Sequence, residues 1–494
     1  MTLARVPRWV LGALLLACIV RLWIMALPSS LWVDEMVTRF VVELGGAHPS
    51  LQVAPQVPQS LYYWLPRWSA ALLGTSEVSY RLPSVLLMAA ALYFIARLAG
   101  RLIHPQAQWF AVFACLSLRG FNYQASDARP YALATLVAAA GSWALTRWLD
   151  DGRWRDAAAF ALCGALLWRV HLIDWPFYLV WGAYALVVLW RGQTRVSWAA
   201  VVGVFALVGV ALIPVALASL KLAREAGAHV IVDPPRLSDL ESALKPGLVV
   251  SALAIAALLA RWRHWVVPEL KVPAPALALV LGWWVIHPAC LYGYSILSGN
   301  SVFVERYLSI SLVGAALTSV LMVALFLPPE LWRGAAAALG LGVLLAFGQW
   351  NSVWPRHHNS NWRAAVASVN RLADRPDTLV LCPSPFIEAR SPVWRPDYPL
   401  PGFLYAHLRV YPMRGQPYLL PYRSSPEAEA FAGELAHSKL ASGDRFLILG
   451  GDRNVRFWRD WLRRAPELAG WQARELGPFG DVLVAVFEKL PEKP

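Results

Sequence analysis

Long apolar runs fill the first 350 positions, and polar residues gather in the short gaps between them. Runs of about 18 or more apolar residues predict helices that cross a membrane. Eleven such helices are expected, over 7–27, 80–100, 106–119, 130–148, 156–170, 174–190, 197–219, 247–261, 275–297, 304–327 and 333–351. The first run is longer than a signal-peptide core and lacks a small-x-small cleavage site, so it is expected to stay as the first helix. After residue 355 the pattern changes. Amphipathic segments ("WRAAVASVNRLA", "EAEAFAGELAHSKL", "VRFWRDWLRRA") alternate with short apolar strands ("TLVLC", "RFLILGG", "DVLVAVF"). That alternation predicts a small α/β domain. The expected division is a transmembrane domain over 1–354 and an extracytoplasmic α/β domain over 355–494.

Composition supports the membrane reading. The 494 residues are 58% hydrophobic and 15% charged, against about 25% charged in soluble domains. The 26 Trp suit aromatic belts at both membrane interfaces. The net charge of +13 does not point to nucleic acid. Much of it lies in short loops carrying Arg5, Arg8, Arg97, Arg101, Arg147, Arg153, Arg191, Arg195, Arg261 and Arg333, which places those loops in the cytoplasm. An odd number of spans then puts the tail outside, with the loop 28–79 and the turns near Arg129, His171–Asp174 and Glu305–Arg306. The five Cys are scattered without metal-ligand spacing, so neither a disulfide framework nor a zinc site is supported. "LGGDRN" lacks the spacing of a phosphate-binding loop, and no internal repeat is visible.

In the first outer loop, Met36, Val37, Phe40, Val41 and Leu44 define one helical face, with Glu35, Thr38, Arg39 and Glu43 opposite. This predicts a helix lying in the membrane interface, its apolar face in lipid. Asp34 falls at its first turn, where exposed N–H groups and the helix dipole favour a carboxylate. Glu35 has Arg39 four residues on and is open to a simple ion pair. "QSLYYWLPRWSAALLG" is a second interfacial segment, broken by Pro66. On the outer face, Arg129, His171, Asp174, Glu305 and Arg306 come from distant parts of the chain to a similar depth. Each has a bland reading: Arg129 and Arg306 as snorkelling side chains, His171 as a satisfied interfacial histidine, Asp174 as a helix cap. Together, ionisable groups at a membrane boundary mark a functional cavity. A carboxylate with several arginines suits a substrate that is half lipid and half phosphate. A phosphate leaving group departs without a general acid, so such an enzyme needs one base and cations to hold the departing charge. Glycoside hydrolysis differs, since it pairs two carboxylates.

These segments resemble a family. "WVDE" after the first span, "LYYW…LLGTSEVSYRLPSVL" into the second, "ARPYAL" at the fourth, "ERYLSISL" near the tenth and "NWRAAVASV" opening the tail resemble the GT-C lipid-linked-sugar glycosyltransferases. Within them, the bacterial relatives of protein O-mannosyltransferases and the lipid A aminoarabinose transferase are the most similar. The resemblance covers residues 7–375. It implies Asp34 as the catalytic acid of the first outer loop, with Glu35 beside it, and Arg129 and Arg306 at the donor phosphate. It also implies a substrate cavity lined by Trp32, Tyr62, Tyr63, Tyr131, His171, Asp174 and Glu305. The implied donor is a sugar on a polyprenyl phosphate; the acceptor is a glycan, lipid or protein, at the outer face of a bacterial inner membrane. Family members carry an acid or His and two prolines where this chain has Val57, Gln59 and Ser60 in "QVPQSLYYW". A divalent metal therefore stays open, with no clear ligand set. Two other classes remain beside the transferase: a transporter or flippase of a lipid-linked saccharide, and a scaffold that presents the tail.

Overall fold

A computed structural model of the chain describes residues 6–44, 61–225, 232–268, 272–386, 389, 406–422 and 424–489. Two compact units divide it. One comprises Met1–Leu27, Gln56–Gly74 and Arg81–Pro355, and the other Pro28–Pro55, Thr75–Tyr80 and Arg356–Pro494. The second is built from three stretches of chain, so the tail forms its core with parts of the first outer loop.

The helices in the N-terminal part of the chain are α1 (Arg8–Ile19), α2 (Val33–Leu44), α3 (Trp64–Leu73), α4 (Glu77–Leu102), α5 (Gln108–Leu116), α6 (Arg119–Ala125), α7 (Tyr131–Asp151), α8 (Trp154–Val170), α9 (Phe177–Trp190), α10 (Trp198–Glu225), α11 (Leu237–Leu244), α12 (Pro246–Trp262), α13 (Ala274–Ser298), α14 (Ser311–Ala324) and α15 (Trp332–Phe347). All but α2 and the first turn of α4 belong to the first unit. Among the described residues, five helical segments are long and apolar enough to cross a bilayer: Glu77–Leu102, Leu172–Trp190, Trp198–Leu220, Ala274–Ser298 and Pro329–Phe347. The pair α11 and α12, bent by 45°, is a sixth if it counts as one span. On α10, Val202, Leu207, Val210, Ile213 and Leu217 are all more than half exposed. Water does not tolerate an apolar stripe of that length, and lipid does. The chain is a multi-pass membrane protein.

Eleven spans were expected, and every one of those runs contains helix, two of them short and enclosed by protein. The run 106–119 holds only the nine-residue α5, buried from Ala111 to Leu116. The 14-residue α14 is buried at 13 positions. A helix surrounded by protein is apolar all round, as a lipid-facing one is, so composition alone cannot separate them. The core of the bundle packs Trp23, Phe113, Phe121, Phe160, Trp181 and Trp283. At the crossing of α13 and α14, a Cβ on Gly314 would collide with the backbone of Trp283 and Trp284, so only glycine allows this approach.

One arginine closes this unit's chain ends together. α1 continues into a π-helical turn, Val20–Ile24, that carries Arg21. The Arg21 guanidinium donates to the carbonyls of Gly348 at 2.6 Å, Val353 at 2.8 Å, Ser352 at 2.8 Å and Gln349 at 3.1 Å, and lies 4.6 Å over the Trp350 ring. Carbonyls at and beyond a helix end have no partner within the helix, and a cation there also complements the dipole of α15.

The second unit holds a five-stranded sheet: β1 (Leu379–Pro383), β2 (Gln416–Leu420), β3 (Arg445–Gly451), β4 (Trp471–Phe479) and β5 (Val482–Lys489), in the order β2-β1-β3-β5-β4. β1 runs parallel to β2 and β3, while β5 is antiparallel to β3 and β4. Its helices are α16 (Trp362–Leu372), α17 (Ala406–Val410), α18 (Pro426–Leu435) and α19 (Asp452–Leu462). Side chains alternate across the sheet, as strand geometry requires. Val380, Leu447, Val484 and Val486 enter one cluster, and Leu381, Phe446, Ile448 and Phe487 the other. The second face is covered by Ala428, Leu435, Trp458 and Leu462 of α18 and α19. The first is covered by Trp362, Val366 and Val369 of α16, and by Leu31, Met36 and Phe40.

That last group corrects an expectation. The apolar face of α2 lies in the core of the second unit instead of in lipid: Met36 is fully buried and Phe40 is 3% exposed. The two environments demand the same residue pattern. α3 behaves as expected of a surface-lying amphipathic helix, with Trp64, Trp68, Leu72 and Leu73 exposed.

Phe40→Ala is expected to destabilise the full chain in detergent by about 3 kcal/mol, the usual cost of emptying an aromatic core site. Leu72→Ala on α3 is expected to change stability by less than about 0.5 kcal/mol. Thermal unfolding measures both, and equal effects would show that α2 is not a core element. Arg21→Gln is expected to cost roughly 3 kcal/mol, since charged hydrogen bonds contribute about 1.5–3 kcal/mol each and the glutamine keeps at most two. The same melting experiment checks it, with an unchanged midpoint as the contrary result.

Candidate functional site

The expected site residues fall into two groups, one in each unit. In the second unit, α2 begins at Val33 with Asp34 and Glu35 in its first turn. Asp34 is half-buried and Glu35 fully buried. The expected pair of Glu35 with Arg39 does not form. Arg39 binds Glu43 at 2.8 Å, and Glu43 also accepts from the Tyr80 hydroxyl at 2.8 Å. Glu35 turns inward. Its Oε2 accepts from the Trp32 amide at 3.2 Å, and its Oε1 lies 3.9 Å from Nε2 of His357.

The segment after the last membrane helix supplies two histidines beside these acids. Trp32 stacks on His358 with centroids 5.1 Å apart and planes within 4°. Burial and the neighbouring His357 lower the pKa of His358, while Asp481, Glu35 and Asp34 oppose them. The segment is held by the turn from β4 to β5: Asn361 N–H donates to Phe479 O at 3.0 Å, and Asn359 Nδ2 donates to Asp481 at 2.7 Å. Gly480 makes this possible. Its φ is +70°, and a Cβ there would strike the Asn359 carbonyl.

Residues 28–31, which lead into α2, are tied down by the tail. The Tyr411 hydroxyl accepts from Leu31 N–H at 2.7 Å and from Ser30 Oγ at 3.2 Å, and donates to Glu77 at 3.1 Å. Burial, helped by Glu77, pushes this phenol up to about 12, so it stays protonated and can donate. Arg363 pairs with Glu77 at 3.1 Å and donates to Pro28 O at 2.7 Å, and its backbone N–H donates to Ser30 Oγ. The position of Asp34 is therefore set by the tail's own core and hydrogen bonds.

In the first unit a second polar cluster forms where helices end. Arg129, 2% exposed, sits in the turn between α6 and α7, where its N–H donates to Asp127 O at 2.8 Å. Ser84 Oγ on α4 donates to the same carbonyl at 2.6 Å. Tyr131 opens α7, and its ring lies 5.2 Å from that of His171, which follows α8. The Tyr307 ring also lies near His171, with centroids 5.4 Å apart. Arg306 lies over the Tyr307 ring at 5.2 Å, in the 3-10 turn Glu305–Leu308. That turn precedes α14, and Trp283 Nε1 holds it by donating to Ile310 O at 2.8 Å. Asp174, 4% exposed, lies 3.6 Å from Nε2 of His287. His171 stands between α8 and the candidate span Leu172–Trp190. Burial pulls it down to about 4; Asp174 opposes this, and Arg129, His287 and Arg306 add to it. It is neutral near pH 7.

Tyr62 and Tyr63 also belong to the first unit, where Tyr62 is fully buried and meets Tyr63 edge-on. Glu305 stands apart: its side chain is 88% exposed and lies 4.0 Å from Lys245. Val57, Gln59 and Ser60 lie outside the described residues.

Several residues at these two places were not singled out in the sequence. Asp127, fully buried, sits two positions before Arg129. His287 is fully buried within the apolar run "WVIHPAC", and an ionisable residue inside such a run is itself a signal. His357 and His358 stand as a pair after the last apolar run. Tyr411 carried no signal, because only the tertiary fold brings it to residues 28–31.

Comparison with known proteins gives two kinds of likeness. Two solved structures align with nearly the whole chain at 12% identity. One is ArnT from Cupriavidus metallidurans bound to undecaprenyl phosphate, with a TM-score of 0.44 over 97% of this chain and 98% of that one. The other is the same protein in the apo state, with a TM-score of 0.45 over 97% of each. No curated protein sequence matches. Residues 57–215, from the second outer segment to the middle of α10, match the family of dolichyl-phosphate-mannose-protein mannosyltransferases.

Proposed function

We propose that the chain is an integral membrane glycosyltransferase of the GT-C type. It moves a sugar from a polyprenyl-phosphate donor to an acceptor at the outer face of a bacterial inner membrane. The observation that carries this reading is the match of residues 57–215 to the mannosyltransferase family. That stretch contains Arg129, Tyr131, His171 and Asp174, four residues of the polar cluster in the first unit.

In the proposed chemistry, Arg129 and Arg306 hold the donor phosphate. Asp34 takes the proton of the acceptor hydroxyl, whose oxygen attacks the anomeric carbon opposite the phosphate. The bond from that carbon to the phosphate oxygen breaks, and its electron pair leaves with the polyprenyl phosphate. The anomeric configuration inverts. The phosphate needs no general acid, and two guanidiniums stabilise the charge that develops on it. Asp34 suits the base better than Glu35, because Glu35 is fully buried and engaged by the Trp32 amide. Glu35 then keeps the first turn of α2 in place beside His357. The tail from 355 and the first outer loop stand on the extracytoplasmic side. The reading specifies the donor's class and leaves glycan, lipid and protein as acceptors.

The test is transfer of labelled sugar from polyprenyl-phosphate donors in membranes that contain the full chain. Asp34→Asn is expected to lower transfer by about 10²–10⁴-fold at unchanged protein level, the range for losing a general base. Undiminished transfer would remove Asp34 from that role. Arg306→Gln is expected to raise the donor KM by about tenfold or more, as the loss of a charged hydrogen bond does, and an unaltered donor KM would contradict its role. Translocation of the lipid in proteoliposomes with no new glycosidic bond would replace the transferase by a transporter.

A further inference from the structure

Beside the two arginines of the first unit lies a trio that the proposed chemistry does not use. His171 and Asp174 are each 4% exposed, and His287 is fully buried. Nδ1 of His171, both ring nitrogens of His287 and Oδ2 of Asp174 make no hydrogen bond to protein. The Asp174 carboxylate approaches His287 Nε2 at 3.6 Å, which is longer than a hydrogen bond. Buried polar groups are nearly always satisfied, and leaving several unsatisfied together costs stability. Two of these residues share the turn after α8, where Asp174 N–H donates to His171 O at 3.1 Å, and the third comes from the middle of α13, so they are not an accident of one loop.

The chemistry of the trio defines what satisfies it. A neutral imidazole offers one donor and one acceptor, and a carboxylate offers only acceptors. Phosphate oxygens are acceptors and carry negative charge, so Asp174 repels them. Hydroxyl groups both donate and accept, and match all three side chains. Tyr131 and Tyr307 flank His171 with their rings, adding apolar faces suited to the C–H surface of a sugar. The arginines next to the trio suit an anionic end of the same ligand.

We propose that His171, Asp174 and His287 form the subsite that holds the hydroxyl groups of the donor's sugar, next to the arginines that hold its phosphate. The inference rests on the transferase reading and deepens it. Recognition of a sugar by buried groups makes those groups specificity determinants, because a ligand lacking the hydroxyls leaves them unpaired.

The test measures binding to the full chain in lipid nanodiscs. The probes are undecaprenyl phosphate and undecaprenyl-phosphate-linked mannose, glucose, galactose and arabinose. In the unaltered protein, at least one sugar-bearing lipid is expected to bind about tenfold or more tightly than the bare phosphate lipid. His287→Leu and Asp174→Asn are expected to erase that advantage and to leave the Kd of the bare lipid within about twofold, which also shows that the variants fold. His171→Leu provides a third variant outside the helix interior. No advantage for any sugar in the unaltered protein would overturn the subsite and leave the phosphate site standing. Equal weakening of bare and sugar-bearing lipids in the variants would also overturn it, as a structural role. Failure of the unaltered protein to bind any of these lipids would overturn the transferase reading itself.

Discussion

The burial of one face of α2 in the core of the second unit is the constraint on which the placement of the acids depends. Leu31, Met36 and Phe40 fill the same cluster as Trp362, Val366 and the sheet residues Val484 and Val486. A helix of twelve residues has little stability of its own in water. Its register is therefore set by that core, and with it the direction in which Asp34 and Glu35 point. Tyr411, Arg363 and Glu77 add a hydrogen-bonded clasp on the segment that enters the helix. The tail thus does structural work for a loop that the chain leaves more than 300 residues earlier. In the proposed mechanism this is pre-organisation: the base is held before the acceptor arrives.

The first unit follows a different rule. Its apolar surface meets lipid, so packing relies on small residues and buried aromatic rings, as at Gly314 against Trp283 and Trp284. Its charged groups are placed where helices end and backbone groups lack partners. Arg21 closes the end of α15, while Arg129 and Arg306 occupy the turns before α7 and α14. Charges there cost less than at mid-helix. His287 is the exception. It is fully buried inside α13, and its ring nitrogens are unsatisfied by protein. Such a departure from satisfied burial marks function more sharply than an arginine at a helix end does.

The sequence revealed the class of the molecule and the existence of most of its elements. The strands at "TLVLC", "RFLILGG" and "DVLVAVF" form as β1, β3 and β5, and the three amphipathic segments form as α16, α18 and α19. β4 was not visible because it is an edge strand with mostly polar, exposed positions. The expected runs 106–119 and 304–327 hold the short helices α5 and α14, which are apolar on all sides through burial in protein. The face of α2 was assigned to lipid for the same reason: apolarity reports that a surface is covered, not what covers it. Among the candidate residues, Arg129, His171 and Asp174 lie buried in turns at helix ends, where the apolar pattern placed them. Glu35 was misread as a surface ion pair, since the i,i+4 spacing to Arg39 is real while the side chain points the other way. Clasps such as Tyr411 to Leu31 join positions too far apart in sequence for any local pattern to show them.

The claim that the tail's core holds the acid-bearing helix can be tested directly by hydrogen–deuterium exchange of the amides in residues 30–42. The comparison is between the full chain, its Tyr411→Phe variant and the same two proteins in detergent and in lipid. The account predicts slow exchange in the unaltered protein, faster exchange in the variant, and no dependence on whether the surroundings are detergent or lipid. Exchange that responds to lipid and ignores the tyrosine would contradict it, and would return α2 to the membrane surface.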